Sequence, residues 1–209
     1  MLIKISNLSK TIKNNDVLNN INASFESGKI YGLAGKNGSG KTMLMRAICG
    51  LIMPSEGEIY FDDKQLHRDF CFPPSLGVML EYPSFIGSYT GFKNLKIIAE
   101  IKSIIGDEEI RNALEYVGLD PNDKKSFKQY SLGMKQKLGI ACAIMEKPDL
   151  LILDEPFNAL DESSAEKVKS LILKEKERGA VVIISCHDKD DLLSLSDEIY
   201  YLNNGFIRA

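Results

Sequence analysis

The chain has 209 residues, 44% of them apolar, and a formal net charge of −3. This length and apolar content suffice for one compact unit with a sizeable core. The acidic balance argues against a nucleic-acid-binding surface, no segment reaches the roughly 18 consecutive apolar residues of a membrane span, and the N-terminus lacks the apolar run of a signal peptide. We therefore expect a soluble, cytoplasmic protein that binds no nucleic acid.

The chain begins with short strands. Residues 2–8 alternate between apolar and polar side chains, as a half-buried strand does, and residues 17–25 and 57–61 have the pattern of two more strands. Together these strands predict a small antiparallel sheet beside a glycine-rich loop at residues 35–42.

This loop, GKNGSGKT, occupies residues 35–42, between a predicted buried strand at residues 28–34 and a predicted helix. Glycines let successive backbone N–H groups point inward, and the helix adds the positive end of its dipole, so the loop predicts a cradle for phosphate groups. The apolar residues of the helix recur at i, i+3, i+4 and i+7, the spacing of one helical face: Leu44, Ala47, Ile48 and Leu51.

The loop supplies the first set of candidate binding residues. Lys41 is placed to reach the outer phosphates of a nucleotide, and the hydroxyl of Thr42 to ligate Mg²⁺. The candidates for nucleotide binding are Gly35, Lys36, Asn37, Gly38, Ser39, Gly40, Lys41, Thr42 and Met43.

Beyond a predicted strand at residues 75–80, the pattern becomes helical. One helix follows Gly91, and either Ile101 or Ile105 completes its inward face with Phe92, Leu95 and Ile98. A second helix has Asp107 as its predicted N-cap and ends at Gly118. We interpret residues 83–130 as an inserted helical subdomain.

The pattern of a parallel sheet then returns. Ser131 predicts the start of a helix that runs to Met145, and residues 150–153 form the continuous apolar run of a strand covered on both faces. A long helix at residues 162–178 and a second apolar strand at residues 180–185 follow. A hairpin at residues 198–207 closes the chain.

Two carboxylates follow the first of these apolar strands. Asp154 and Glu155 would lie at the edge of the sheet, where α/β folds bind their ligands. Asp154 is the candidate magnesium ligand, through direct or water-mediated contact, and Glu155 is the candidate group that polarises an attacking water.

In this order, the motifs resemble the nucleotide-binding subunit of an ATP-binding cassette (ABC) transporter over nearly the whole chain. Residues 130–136, YSLGMKQ, stand where that family has its signature sequence, just ahead of the Asp154-Glu155 strand. Residues 158–161, NALD, resemble the family's D-loop, and His187 resembles its switch histidine.

The resemblance implies an α/β fold within a single domain, residues 1–209. The domain has a P-loop NTPase core with a mostly parallel sheet and an antiparallel β subdomain, formed by residues 1–82 and 131–209. The inserted α-helical subdomain is formed by residues 83–130. It further implies an ATP hydrolase that uses Mg²⁺ and powers a separate integral membrane permease. The subunit would then lie in the cytoplasm, peripheral at the inner face of the cell membrane.

The resemblance also implies residue roles. Two copies close head to tail over two ATP molecules, so that the hydroxyl of Ser131 and the N–H of Gly133 meet the γ-phosphate held by the partner. Glu155 is the general base, His187 contacts the γ-phosphate, and Asp161 lies at the dimer seam. One complete set of motifs predicts a homodimer, and no permease segment or regulatory C-terminal domain is expected in this sequence.

This chain departs from the family pattern at several positions. Glu81 replaces the usual glutamine and is expected to ligate magnesium, and a glutamate there resembles the branch serving bacteriocin or lantibiotic immunity and peptide-antibiotic export. Leu132 and Met134 replace usual signature residues. Ile12 stands where an aromatic residue commonly stacks on adenine, so we expect modest ATP affinity and weak discrimination between purines.

Other functions are also considered. A cytosolic ABC ATPase that acts as an assembly scaffold would share every motif. A nucleotide kinase would share the phosphate loop without the signature, D-loop and switch histidine.

The cysteines, which we expect to be free, mostly buried thiols rather than metal ligands, are Cys49, Cys71, Cys142 and Cys186.

Overall fold

Residues 1–208, which the computed structural model describes, form ten strands in two sheets and six α-helices. The strands are β1 (Leu2–Ile12), β2 (Asn15–Glu26), β3 (Lys29–Ala34), β4 (Glu56–Phe61), β5 (Lys64–Gln65), β6 (Leu76–Met79), β7 (Leu150–Asp154), β8 (Val181–Ser185), β9 (Glu198–Asn203) and β10 (Phe206–Arg208). The α-helices are α1 (Lys41–Ile48), α2 (Gly91–Lys102), α3 (Asp107–Tyr116), α4 (Leu132–Ile144), α5 (Glu162–Glu177) and α6 (Lys189–Leu195), and a short 3₁₀ helix lies at Phe127–Gln129.

The strands form two sheets, one antiparallel and one mostly parallel, as the sequence predicts. The smaller sheet is antiparallel, with the strand order β2-β1-β4-β5. The larger has the order β10-β9-β3-β8-β7-β6, and all its neighbouring strands are parallel except the β9–β10 hairpin. The predicted combination of a mostly parallel sheet with an antiparallel one is therefore confirmed.

The register of the parallel strands brings the chemistry to one edge. Leu33 of β3 and Asp154 of β7 both pair with Ser185 of β8. Because parallel strands end at the same edge, the glycine loop after β3 lies beside the carboxylates after β7 and the residues after β8.

The parallel sheet is buried on both faces, which explains its continuous apolar strands. In β7, Leu150 and Ile152 join an apolar cluster that includes α1 and the antiparallel sheet. Leu151 and Leu153 join a second cluster, which includes α2, α3, α4 and α5. Alternate residues of one strand thus hold opposite layers of the protein together.

Residues 83–130 contain α2, α3 and the 3₁₀ helix, as the helical pattern predicts. Ile105 packs against the second cluster, whereas Ile101 is 80% exposed, so Ile105 completes the inward face. The subdomain boundaries at residues 83 and 130 stay a prediction, because one apolar cluster joins these helices to α4 and β7.

Two local predictions are wrong. Helix α1 ends at Ile48, so Leu51 lies outside it and is 54% exposed, because Gly50 leaves the helix with a φ of 78°. Asp107 is the first residue of α3 rather than its N-cap. Gly106 caps that helix, with its N–H donating to the Glu109 carboxylate at 2.9 Å.

The four cysteines are free thiols, as expected. Cys49 is buried, and burial raises the pKa of its thiol to about 12. Cys142 and Cys186 are half-buried and Cys71 is exposed, so the expectation of mostly buried thiols holds fully for Cys49 alone. Among the residues described, no helix is long and apolar enough to cross a membrane.

A glycine in β6 offers a test of how tightly this layer packs. A Cβ at buried Gly77 would overlap the carbonyl oxygen of Ala143 in α4. We expect Gly77→Ala to lower the free energy of unfolding by about 1–3 kcal/mol, because the helix must shift. Gly87→Ala is the control, since the nearest atom to its Cβ, on Lys128, would be 3.8 Å away. Equal denaturant midpoints for the two variants would contradict the packing argument.

Candidate active site

A cleft of about 550 Å³ lies at the edge of the parallel sheet where the glycine loop leaves β3. It brings together most of the predicted site residues, together with several that the sequence pattern left unassigned. Its lining comprises Val17, Asn37, Gly38, Ser39, Gly40, Lys41, Thr42, Met43, Glu81, Tyr82, Gln136, Asp154, Glu155, Asn158 and His187.

The glycine loop has the conformation of an anion cradle. Gly38 and Gly40 have φ angles of 77° and 109°. Residues with a side chain are strained in this region of backbone conformation, whereas glycine is not. A Cβ at Gly40 would lie 3.0 Å from the carbonyl oxygen of Val17. The buried hydroxyl of Ser39 has no hydrogen-bond partner among the protein atoms described, so the loop holds a polar group that suits an anionic ligand.

Lys41 and Thr42 begin helix α1 at the floor of the cleft. The Lys41 ammonium, 8% exposed, donates to the carbonyl of Gly35 at 2.7 Å and also contacts that of Lys36 at 3.4 Å. Its charge therefore lies inside the loop, where phosphate oxygens of a nucleotide would bind. Gly35 and Lys36 form the base of the loop and do not line the cleft.

Thr42 and Asp154 make a pair suited to Mg²⁺. The Thr42 hydroxyl donates to Asp154 Oδ2 at 2.6 Å, which places a hydroxyl and a carboxylate side by side next to the phosphate loop. Hard oxygen donors of this kind, completed by phosphate oxygens and water, are the usual protein ligands of magnesium.

Glu81 lies in the same cleft, but its carboxylate faces Arg46. The distance between Arg46 Nη2 and Glu81 Oε1 is 2.8 Å. Among residues 1–208, no three acidic, histidine or cysteine side chains are close enough to form a metal-binding cluster, so Glu81 is not gathered with Asp154 and Glu155. Its role as a magnesium ligand stays a prediction.

Glu155 is held at the end of β7 in an unusual conformation. Its φ angle is 53°, in the left-handed region, where a residue with a long side chain is rare. The His187 N–H donates to Glu155 Oε2 at 2.9 Å, and His187 Nε2 lies 3.6 Å from Oε1. Burial raises the pKa of Glu155 and nearby Asp154 acts in the same direction, whereas His187 lowers it.

Ser185 and Gln136 are site residues that the sequence analysis missed. Fully buried Ser185 donates through its hydroxyl to Asp154 Oδ1 and accepts the Glu155 N–H at 3.1 Å. Gln136, 4% exposed, donates its side-chain N–H to the Glu155 carbonyl at 2.9 Å. A polar residue ending an apolar strand was a signal for Ser185, whereas Gln136 closes the motif YSLGMKQ but was given no role of its own.

Ser131, Gly133 and Asp161, the predicted binding residues of the signature and D-loop, do not line the cleft of their own chain, whereas Gln136 and Asn158 of the same two motifs do. Ser131 caps α4, and its hydroxyl accepts the Met134 N–H at 3.2 Å. Gly133 packs against the D-loop, because a Cβ there would lie 2.7 Å from the Ala159 carbonyl oxygen. Asp161 caps α5, and its hydrogen bonds from Ser163 and Ser164 lower its pKa to about 2.

A phosphate loop, a Thr–Asp pair and a half-buried carboxylate at one sheet edge define a P-loop nucleotide-binding protein. The sequence profile of the ABC transporter family matches residues 18–158. The chain therefore belongs to the ABC transporter family, as an ATP-binding and ATP-hydrolysing subunit.

Relatives and solved structures agree with this assignment. The uncharacterized ABC transporter ATP-binding protein YybJ of Bacillus subtilis is 48% identical, over 98% of this chain and 94% of YybJ. The bacitracin transport ATP-binding protein BcrA of Enterococcus faecalis is 38% identical, over 99% of this chain and 68% of BcrA. The lantibiotic transport ATP-binding protein SrtF of Streptococcus pyogenes is 34% identical, over 99% of this chain and 89% of SrtF.

Among solved structures, an ATP-binding subunit of an ABC transporter matches with a TM-score of 0.90 and 26% identity, over 100% of this chain and 89% of that one. The dimeric bacterial cassette MJ0796 matches with a TM-score of 0.90 and 25% identity, over 99% and 97% of the two chains. The two named transport relatives support the predicted bacteriocin and antibiotic-resistance branch, and their names do not favour the scaffold alternative.

The buried hydroxyl of Ser185 provides a test of the site's construction. We expect Ser185→Ala to lower the free energy of unfolding by about 1–3 kcal/mol, because Asp154 loses a donor and the Glu155 N–H loses an acceptor. Ser170→Ala, at an exposed position of α5, should change it by less than about 0.5 kcal/mol. Equal changes on chemical denaturation would show that the Ser185 hydrogen bonds add nothing to stability.

Proposed function

We propose that this subunit hydrolyses ATP as a head-to-tail homodimer, with Glu155 as the general base and Mg²⁺ held by Thr42 and Asp154. We further propose that it drives a separate membrane permease for a peptide antibiotic. The observation that carries the proposal is the division of the site. The phosphate loop, Asp154 and Glu155 share one cleft, whereas Ser131, the cap of the signature helix, lies outside it.

Within one chain, the cleft residues divide the chemical work. The loop N–H groups and Lys41 bind the phosphates of ATP, and Mg²⁺, when bound at Thr42 and Asp154, neutralises phosphate charge. Glu155 orients the attacking water and accepts its proton. His187 holds the Glu155 carboxylate through its backbone N–H and offers its ring to the γ-phosphate.

A second copy supplies the donors that one cleft lacks. The N-terminus of α4 carries the Ser131 hydroxyl and the Gly133 N–H, together with the positive end of the helix dipole. Facing the partner's γ-phosphate, these groups would stabilise charge that develops during hydrolysis. Glu81 would act in the same cleft, either as a further magnesium ligand or, as its contact with Arg46 suggests, as a charge held at the cleft mouth.

Exposed apolar side chains recur along residues 82–104, from the cleft to just past the end of α2, and suit contact with the permease. Tyr82, Ile101 and Ile104 are 70%, 80% and 63% exposed, and Ile86 and Ile97 are also exposed. Exposed apolar residues concentrated along one segment favour a protein-binding surface. Because Tyr82 also lines the cleft, a permease bound here would sense the nucleotide site, and the subunit would lie at the inner face of the cell membrane.

The first test of the mechanism is ATPase activity measured as a function of protein concentration. We expect the turnover to rise more than linearly with protein, because the site is complete only in the dimer. Glu155→Gln should lower kcat by about 10²–10⁴-fold, the usual contribution of a general base, and ATP should then trap a dimer. Activity strictly proportional to protein, with the variant unimpaired, would contradict both the dimer and the base.

Nucleotide selectivity tests the missing aromatic contact. Ile12 does not line the cleft, and aliphatic Val17 does, so the segment before the loop supplies no ring for stacking; the rings among the lining residues are Tyr82 and His187, from other segments. Base stacking contributes roughly 1–3 kcal/mol. We expect the Kd values of ATP and GTP, measured by competition with a fluorescent nucleotide, to agree within about tenfold. A far tighter Kd for ATP would contradict this expectation.

The substrate class is proposed from the relatives that carry substrate names, for bacitracin and a lantibiotic. Co-expression with the permease should yield a membrane complex that raises the concentration of such a peptide needed to inhibit growth of the host cell. Ile101→Asp should weaken this complex and leave the ATPase activity of the isolated subunit unchanged. The exposed Leu173→Asp variant on α5 is the control. A permease complex that protects against no peptide antibiotic would leave the ATPase intact and refute the substrate class.

A further inference from the structure

We propose that Gln136 is a positioning residue that ties the signature helix of each protomer to its own general base, Glu155. The inference rests on the proposed function, because it takes Glu155 as the base and α4 as the helix that faces the partner's nucleotide. It adds a connection between the two, carried by one buried side-chain amide.

Glu155 needs its backbone to be held. Its left-handed conformation, with φ at 53°, is one that non-glycine residues adopt at a cost and keep only where their surroundings fix it. Two side chains contact it, one at its N–H and the other at its carbonyl. The Ser185 hydroxyl accepts the Glu155 N–H at 3.1 Å, and the Gln136 amide donates to the Glu155 carbonyl at 2.9 Å.

The two supports differ in what they are attached to. Ser185 is in β8, which pairs residue by residue with β7, so it belongs to the same sheet as the strand that ends directly before Glu155. Gln136 is in α4, the helix that begins at Ser131. Of these two hydrogen bonds, the one from Gln136 therefore joins the backbone of Glu155 to the signature helix.

The distance along the helix is short. Gln136 follows Ser131 by five residues, which is about 7.5 Å of helix rise. Gln136 is 4% exposed and lines the cleft, whereas Leu132, next to Ser131 at the start of α4, is 53% exposed. One end of the same rigid segment thus faces outward, toward the proposed partner, and the other holds the carbonyl of the base.

In the dimer, Gln136 links the two nucleotide sites. When the N-terminus of α4 engages the partner's nucleotide, the same helix sets the position of Gln136 and hence of Glu155 in its own cleft. Each protomer's base then responds to the occupancy of the opposite site. A shift of about 1 Å in a catalytic group is enough to cost a large factor in rate, so the contact does not need to break in order to act.

The test compares Gln136→Met, which keeps the length of the side chain but has no N–H donor, with Gln65→Met in β5, far along the chain from α4. We expect Gln136→Met to lower kcat at least tenfold, to leave the Kd for ATP within twofold, and to leave ATP-dependent dimers at least as abundant as in the wild type. The Hill coefficient for ATP should also fall toward 1. Gln65→Met should change none of these quantities.

Two outcomes would overturn the inference. One is wild-type kcat and cooperativity in Gln136→Met. The other is a parallel loss of kcat, ATP affinity and dimer formation, which would make Gln136 only a packing residue of α4. If Gln136→Met does not fold, Gln136→Asn keeps the amide on a shorter side chain that cannot reach the carbonyl, and the same two outcomes apply to it.

Glu155→Gln, measured in the same assays, separates this inference from the proposed function. If Glu155→Gln keeps its activity, the assignment of the base is wrong. If Glu155→Gln is inactive and Gln136→Met is fully active, the base assignment stands and the role of Gln136 alone is refuted.

Discussion

The hydrogen-bonded register at the carboxyl edge of β3, β7 and β8 is the constraint on which the active site depends. Asp154 receives hydroxyl hydrogen bonds from Thr42 and from Ser185, which come from the helix after the glycine loop and from the neighbouring strand. The apolar runs of β7 and β8 end at polar Asp154 and Ser185, and a slip by one residue would part this pair or draw a polar residue into an apolar layer. The apolar core therefore sets the geometry of the polar site.

Much of the fold and part of the site could be predicted because their signals are local. The glycine loop consists of adjacent residues, and so does the pair of carboxylates, Asp154 and Glu155, that follows β7. The apolar runs of β7 and β8 indicate a parallel sheet covered on both faces. One of the two errors arose where a tertiary contact decides. The end of α1 depends on Gly50, whose Cβ would collide with the backbone of Cys71, twenty-one residues away in the chain.

The contacts that Gln136 and Ser185 make with Glu155 could not be predicted, because they too are tertiary. Gln136 lies nineteen residues before Glu155 in the chain, and Ser185 lies thirty residues after it. A buried glutamine in a helix has no periodicity that distinguishes it from a surface glutamine. Its role is visible only once α4 has been packed against the end of β7, and it is this packing that turns two ordinary polar residues into the frame of a strained glutamate.

The capping of α4 by Ser131 outside its own cleft also affects what an unassembled subunit does in the cell. With the proposed roles, a newly made protomer would bind nucleotide but lack the groups that complete catalysis, so surplus subunits would idle rather than consume ATP. Expression in excess of the permease would then carry little metabolic burden. Hydrolysis would be confined to places where two copies are held together, and energy use would follow the number of assembled transporters.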